Sequence, residues 1–215
     1  STLMYLLDRL YPLSPENGRI EIGGVDIADI SSDWLRRNIG MVLQEPFLFS
    51  RTLEENIAIA SGQEPEDGKD GDHSRLARVR SAARIARLDE TITHFAKGYD
   101  TFVGERGVTL SGGQKQRTAI AQMLIRKPPV MVFDDSLSAV DAETDAEIRR
   151  ALRENVGSAT VILIAHRLTT LMHADQILVM DQGRIVQRGT HEELLAQDGI
   201  YRQIYDLQVR QSGSR

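Results

Sequence analysis

The chain has 215 residues, enough for one well-packed domain with a subdomain, and its 41% hydrophobic and 27% charged content is that of an ordinary globular protein. A net charge of −5 and a pI near 5.6 argue against a general nucleic-acid binder, and the lack of cysteine excludes a disulfide framework or a thiolate metal site. No apolar run approaches the roughly 18 residues that span a bilayer, and no secretory signal is visible, so the chain by itself reads as soluble.

An amphipathic helix is expected at once, with Leu3, Leu6, Leu7 and Leu10 on one face. It has no preceding loop or cap, so the sequence reads as starting inside a longer polypeptide. Pro12 and Pro15 break the pattern. Residues 19–22 and 25–27, around Gly23-Gly24, read as short strands, and 40–43 as an apolar strand ending at Gln44. Residues 53–59 suit a short helix. Residues 62–73, GQEPEDGKDGDH, are acidic and lack a hydrophobic period, which predicts a mobile loop. Leu76, Val79, Ala83, Ile85, Ala86 and Leu88 then mark a helix with arginines on its outer face.

From Ser111 onward helices and strands alternate: helix 112–126, strand 130–133, helix 142–154 and strand 160–165. A further strand, 176–180, turns through Asp181-Gln182-Gly183 into 184–187 as a hairpin, and two helices follow. Short apolar strands alternating with helices predict an α/β fold with a mainly parallel sheet covered on both faces.

Five features carry chemistry. Leu110-Ser111-Gly112-Gly113-Gln114 opens a long helix; its glycines allow close backbone approach to a phosphate, and the helix N-terminus adds free N–H groups. Read alone it is also a plain helix cap. Val130-Met131-Val132-Phe133 leads into Asp134-Asp135 at a strand's carboxyl end, where ligands sit in parallel sheets. There the first acid suits Mg²⁺ and the second suits an attacking water, although an Asp-rich turn would look the same. His166 follows a buried strand, and Gln44 ends another; each alone means little. Ser1-Thr2 opens a helix, where a hydroxyl can cap or ligate Mg²⁺.

In this order the five resemble the ABC ATPase family along essentially the whole chain. Gln44 in VLQEPFLF matches the Q-loop, 110–114 the signature LSGGQ, and 130–135 the Walker B strand. Ser138-Ala139-Val140-Asp141 matches the D-loop and His166 the switch histidine. Val103-Gly104-Glu105-Arg106-Gly107 resembles the X-loop of exporters, and ADQILVMDQGRIVQRGTHEELL the end of exporter nucleotide-binding domains. The resemblance implies a P-loop NTPase-like α/β fold, with 1–46 and 115–215 as a RecA-like core and about 47–114 as a helical subdomain carrying the signature. It implies ATP and Mg²⁺ as ligands, with Ser1, Gln44 and Asp134 at the metal. Asp135, His166 and Gln44 are the catalytic candidates. Ser1, Thr2, Ser111, Gly112, Gly113, Gln114 and Asp141 are the nucleotide-binding candidates. The implied partners are a second such domain, head to tail, and a transmembrane domain, with no nucleic acid. The implied place is the cytoplasmic face of a membrane.

Two departures stand out. The adenine-stacking residue, the N-terminal β-subdomain and the lysine loop are absent from these residues, so the 215-residue chain alone is expected to bind ATP weakly and not to hydrolyse it. Asp135 stands where the family usually has Glu, which draws the carboxylate back by roughly 1.5 Å. Asp134-Asp135-Ser136 thereby resembles the degenerate site of heterodimeric exporters, in which one ATP site hydrolyses slowly. Three alternatives remain: a non-catalytic ATP-binding module, an importer ATPase, and the head of an SMC-type DNA-repair ATPase. The last carries a long coiled coil between Q-loop and signature, whereas only about 66 residues separate Gln44 from Leu110.

Overall fold

A computed structural model describes residues 2–61, 71–104, 109–136 and 140–212. The chain divides into two compact units, residues 1–164 and 165–215, each described by itself.

In the first unit, α1 (Thr2–Leu7) is shorter than its leucine pattern suggests. The chain turns at Arg9, whose φ is +53°, and the Arg9 guanidinium donates to the carbonyls of Ile27 (3.1 Å) and Ile30 (2.6 Å). The expected apolar face is corrected in part, since Leu7 packs against the core. Leu3 and Leu10 are exposed, and Met4 enters the core beside Ile27, Leu35, Ile39 and Val132. β1 (Glu21–Ile22) and β2 (Val25–Asp26) pair antiparallel about Gly23 and Gly24, whose φ values of +60° and +81° suit a tight two-residue turn. α2 (Ser32–Asn38) is capped by the Ser31 hydroxyl, which accepts from Trp34 N–H at 3.2 Å. The sequence reading assigned no element to these residues.

β3 (Ile39–Val42), β4 (Val130–Asp134) and β5 (Thr160–Ile164) form a parallel sheet in the order β3-β4-β5. The register sets Val42 opposite Phe133 and Asp134 opposite Ile164. Central β4 is the most apolar in its surroundings, with Met131, Val132 and Phe133 buried. Coverage on both faces does not extend to β5, an edge strand on which Val161 is 40% exposed.

α3 (Leu53–Ala58), α4 (Gly71–Ile85), α5 (Asp89–Thr93), α6 (Gly112–Leu124) and α7 (Ala142–Asn155) complete the unit. Leu53, Ile57, Val79, Ala83, Leu88, Ile120 and Phe133 belong to one core. β3 lies close against α6: a Cβ at Gly40 would fall 2.6 Å from both Met123 and Pro128. Residues 71–73 are helical, not part of the expected loop, because extending an existing helix by a few residues costs little once it is nucleated. The rest of that loop, 62–70, lies outside the described residues.

The second unit contains α8 (Leu168–Leu171), the hairpin β6 (Ile177–Asp181) and β7 (Arg184–Gly189), α9 (His191–Leu195) and α10 (Ile200–Ser212). The expected hairpin is present, with Gln182 and Gly183 both at positive φ. Its core is Leu168, Ile177, Leu194 and Tyr201. Buried His191 shares a 2.8 Å hydrogen bond with the Tyr201 hydroxyl, which ties α9 to α10. Among the described residues no helix is long and apolar enough to cross a membrane.

Candidate functional site

The carboxyl edge of the parallel sheet gathers three of the candidates, Asp134, Asp135 and Gln44. Asp134 is the last residue of β4 and is 5% exposed. Gln44 stands two residues beyond β3, exposed, at the same edge. After Asp134 the chain turns sharply. Asp135 has φ of +47°, and its N–H donates to Ile164 O at 2.9 Å. Asp and Asn are among the few non-glycine residues that enter this left-handed region readily. The buried Ser136 hydroxyl follows, with no hydrogen-bond partner among the described residues.

The signature segment is built on a cap. Ser111 Oγ accepts from Gln114 N–H at 3.3 Å, and Gln114 Oε1 accepts from Ser111 N–H at 2.9 Å. This reciprocal box fixes where α6 starts and places Gly112 and Gly113 as its first two residues. The cap is observed, and it does not conflict with the anion-site reading, since capping leaves further N–H groups of the first turn open. The half-buried Arg117 guanidinium braces the same turn, donating to Gly113 O (3.4 Å) and Arg87 O (2.5 Å). Burial lowers its pKa, and the charge of Asp141 opposes that shift. Asp141 caps α7, and the Thr144 N–H and hydroxyl hold its carboxyl below the usual carboxylate range.

The loop after Gln44 is clamped by a residue the sequence reading passed over. Asn56 is fully buried in α3; its Oδ1 accepts from Phe49 N–H (2.8 Å), and its Nδ2 donates to Phe49 O (3.0 Å) and Thr52 O (2.9 Å). The signal was an Asn inside Leu53–Ala58, just after the Thr52–Glu55 capping box. Asn56→Ala takes the acceptor from the Phe49 N–H, while Phe49 O and Thr52 O keep the N–H groups of Arg51 and Asn56. A loss of roughly 1–3 kcal/mol is expected, read as a lower midpoint in urea unfolding at unchanged slope.

His166 belongs to the second unit, is exposed, and accepts through its carbonyl from Gln208 Nε2 at 2.7 Å. Thr2 begins α1 and is exposed. Ser1, Glu105, Arg106, Gly107, Ser138 and Ala139 lie outside the described residues.

Among the described residues no three His, Cys, Asp or Glu side chains group closely enough to hold a metal alone. The donors at the sheet edge are a buried carboxylate, an orphaned buried hydroxyl and an amide, all oxygen. That set fits Mg²⁺, which keeps several waters and takes one or two carboxylates together with substrate phosphates.

Residues 1–138 match the family described as ABC transporter. The chain is 44% identical over 214 residues to the uncharacterized ABC transporter ATP-binding protein YfiB of Bacillus subtilis, covering 100% of this chain and 35% of that protein. It is 42% identical over 209 residues to the Toxin RTX-I translocation ATP-binding protein of Actinobacillus pleuropneumoniae, covering 97% and 28%. A solved bacterial Atm1-family ABC exporter with ATP bound superposes with a TM-score of 0.86 at 41% identity, covering 96% of this chain and 34% of that one. The chain therefore spans about a third of the length of these relatives.

Proposed function

Because the chain belongs to the ABC transporter family, we propose that it is the ATP-hydrolysing part of an exporter and powers substrate movement across a membrane. The observation that carries this reading is the carboxyl edge of the parallel sheet. There a buried apolar strand delivers Asp134 and Asp135 on the same side as Gln44. We assign 1–46 and 115–215 to a RecA-like core and about 47–114, with α3, α4 and α5, to a helical subdomain.

In this reading Asp134, Gln44 and Ser1 hold Mg²⁺, which when bound neutralises charge on the phosphates. Ser1 and Thr2 are assigned to binding the phosphates of the nucleotide held by this chain. Asp135 orients a water and takes its proton as the water oxygen bonds to the γ-phosphorus and the β–γ bridging P–O bond breaks, releasing ADP. Gln44 holds the water in line, and His166 is assigned a catalytic role at the γ-phosphate. Catalysis is then mainly positioning and electrostatics. Ser111, Gly112, Gly113 and Gln114 act in trans, on nucleotide held by a second such domain arranged head to tail, with Asp141 at that interface. A transmembrane domain supplies the substrate path and places the assembly at the cytoplasmic face of the membrane. The shorter Asp135 favours a degenerate, slow site in this chain, with a competent site completed by its intact signature.

The test is nucleotide turnover by the full-length polypeptide in lipid vesicles. Mg²⁺-dependent ATP hydrolysis is expected. Binding of ATP with no turnover under any partner combination would instead assign the chain to a purely binding role.

A further inference from the structure

Gln116 lies near the start of α6 and is 2% exposed. Its Nε2 donates to the main-chain carbonyl of Gln44, 72 positions away in sequence. Its Oε1 is buried too, with no hydrogen-bond partner among the described residues. A leucine or methionine of similar volume would fill this space without the orphaned Oε1, at the cost of the donor to the Gln44 carbonyl. Burial alone therefore does not account for an amide here.

What the amide adds is a hold on the main chain at Gln44. That residue lies beyond the end of β3, so the sheet ladder does not reach it. The Asn56 clamp acts further along, at Phe49 and Thr52. Gln116 stands two residues after Gln114 of the signature box, in the turn braced by Arg117. One buried hydrogen bond thus joins the signature helix to the strand-end glutamine.

We propose that Gln116 is a positioning residue for hydrolysis: it fixes the peptide of Gln44 from the signature helix, and so sets where the Gln44 side chain meets metal and water. The inference rests on the role given to Gln44 above. Loss of the bond frees the Gln44 peptide to rotate without altering the nucleotide's own contacts. The rate, not the affinity, is the quantity that falls.

The experiment is a double-mutant cycle in the full-length protein with Gln116→Leu, Gln44→Ala and the pair. Gln116→Leu is expected to lower kcat about tenfold, a fraction of the ~100-fold that a 1 Å misplacement costs. KM for ATP should stay within about twofold, the Mg²⁺ concentration for half-maximal rate should rise, and Tm should not fall. On the Gln44→Ala background Gln116→Leu should cost nothing further. If Gln44→Ala is slow but Gln116→Leu is silent, or its effect adds in full to that of Gln44→Ala, the positioning role is overturned and the reading of Gln44 stands. If Gln44→Ala itself turns over normally, the reading of Gln44 falls and the inference with it. Should Gln116→Leu fold poorly, Gln116→Met is measured in its place; failure of both to fold assigns Gln116 to stability and overturns the proposal.

Discussion

If the signature acts in trans as proposed, Gly112→Asp in the full-length protein is expected to cut turnover at least about 100-fold at the ATP site of the second domain. Gly112 is the first residue of α6 and is exposed, beside a Ser111 hydroxyl already engaged by Gln114. A carboxylate there takes up the N–H groups of the first turn and repels the triphosphate. The same acid suits a helix N-terminus, so folding should be spared and Tm should stay level. The loss then belongs to catalysis. It is read in an assembly where only one of the two nucleotide-binding domains carries the substitution. Near-normal turnover at both sites would refute the head-to-tail arrangement.

The second large effect runs in the opposite direction. Asp135→Glu is expected to raise single-turnover kcat at this chain's own site by roughly 10- to 100-fold, with little change in KM, because the longer carboxylate reaches the water in line. The geometry attaches a cost. Residue 135 has φ of +47°, a region that Asp enters more readily than Glu, so the faster variant should lose about 0.5–1 kcal/mol of stability. Asp135→Asn should lower an already small rate only slightly. Both are measured with the partner site disabled. An unchanged rate for Asp135→Glu together with a dead Asp135→Asn would make Asp135 a competent catalytic carboxylate and end the degenerate-site reading.

The sequence by itself determined the elements whose cause is local. The continuous apolar run into Asp134 could be only a buried strand or a helix segment, and its shortness decided for β4. Ser111 with Gln114 three residues on started α6, and Gly183 after Gln182 closed the hairpin. These rest on hydrogen bonds and periodicities spanning four residues or fewer, so the order of motifs, and with it the family, was legible before any coordinates. Tertiary structure decided what depends on distant partners. α1 ended at Leu7 because the chain turns at Arg9, whose side chain reaches carbonyls near residue 30, and this left Leu10 outside the core. β5, as apolar as β4, is half-exposed because position in a sheet is a property of neighbours and not of a strand. Asn56 and Gln116 are ordinary polar letters within helical stretches. Only burial shows that each holds a loop carbonyl, one of them 72 positions away, where no periodicity carries the information.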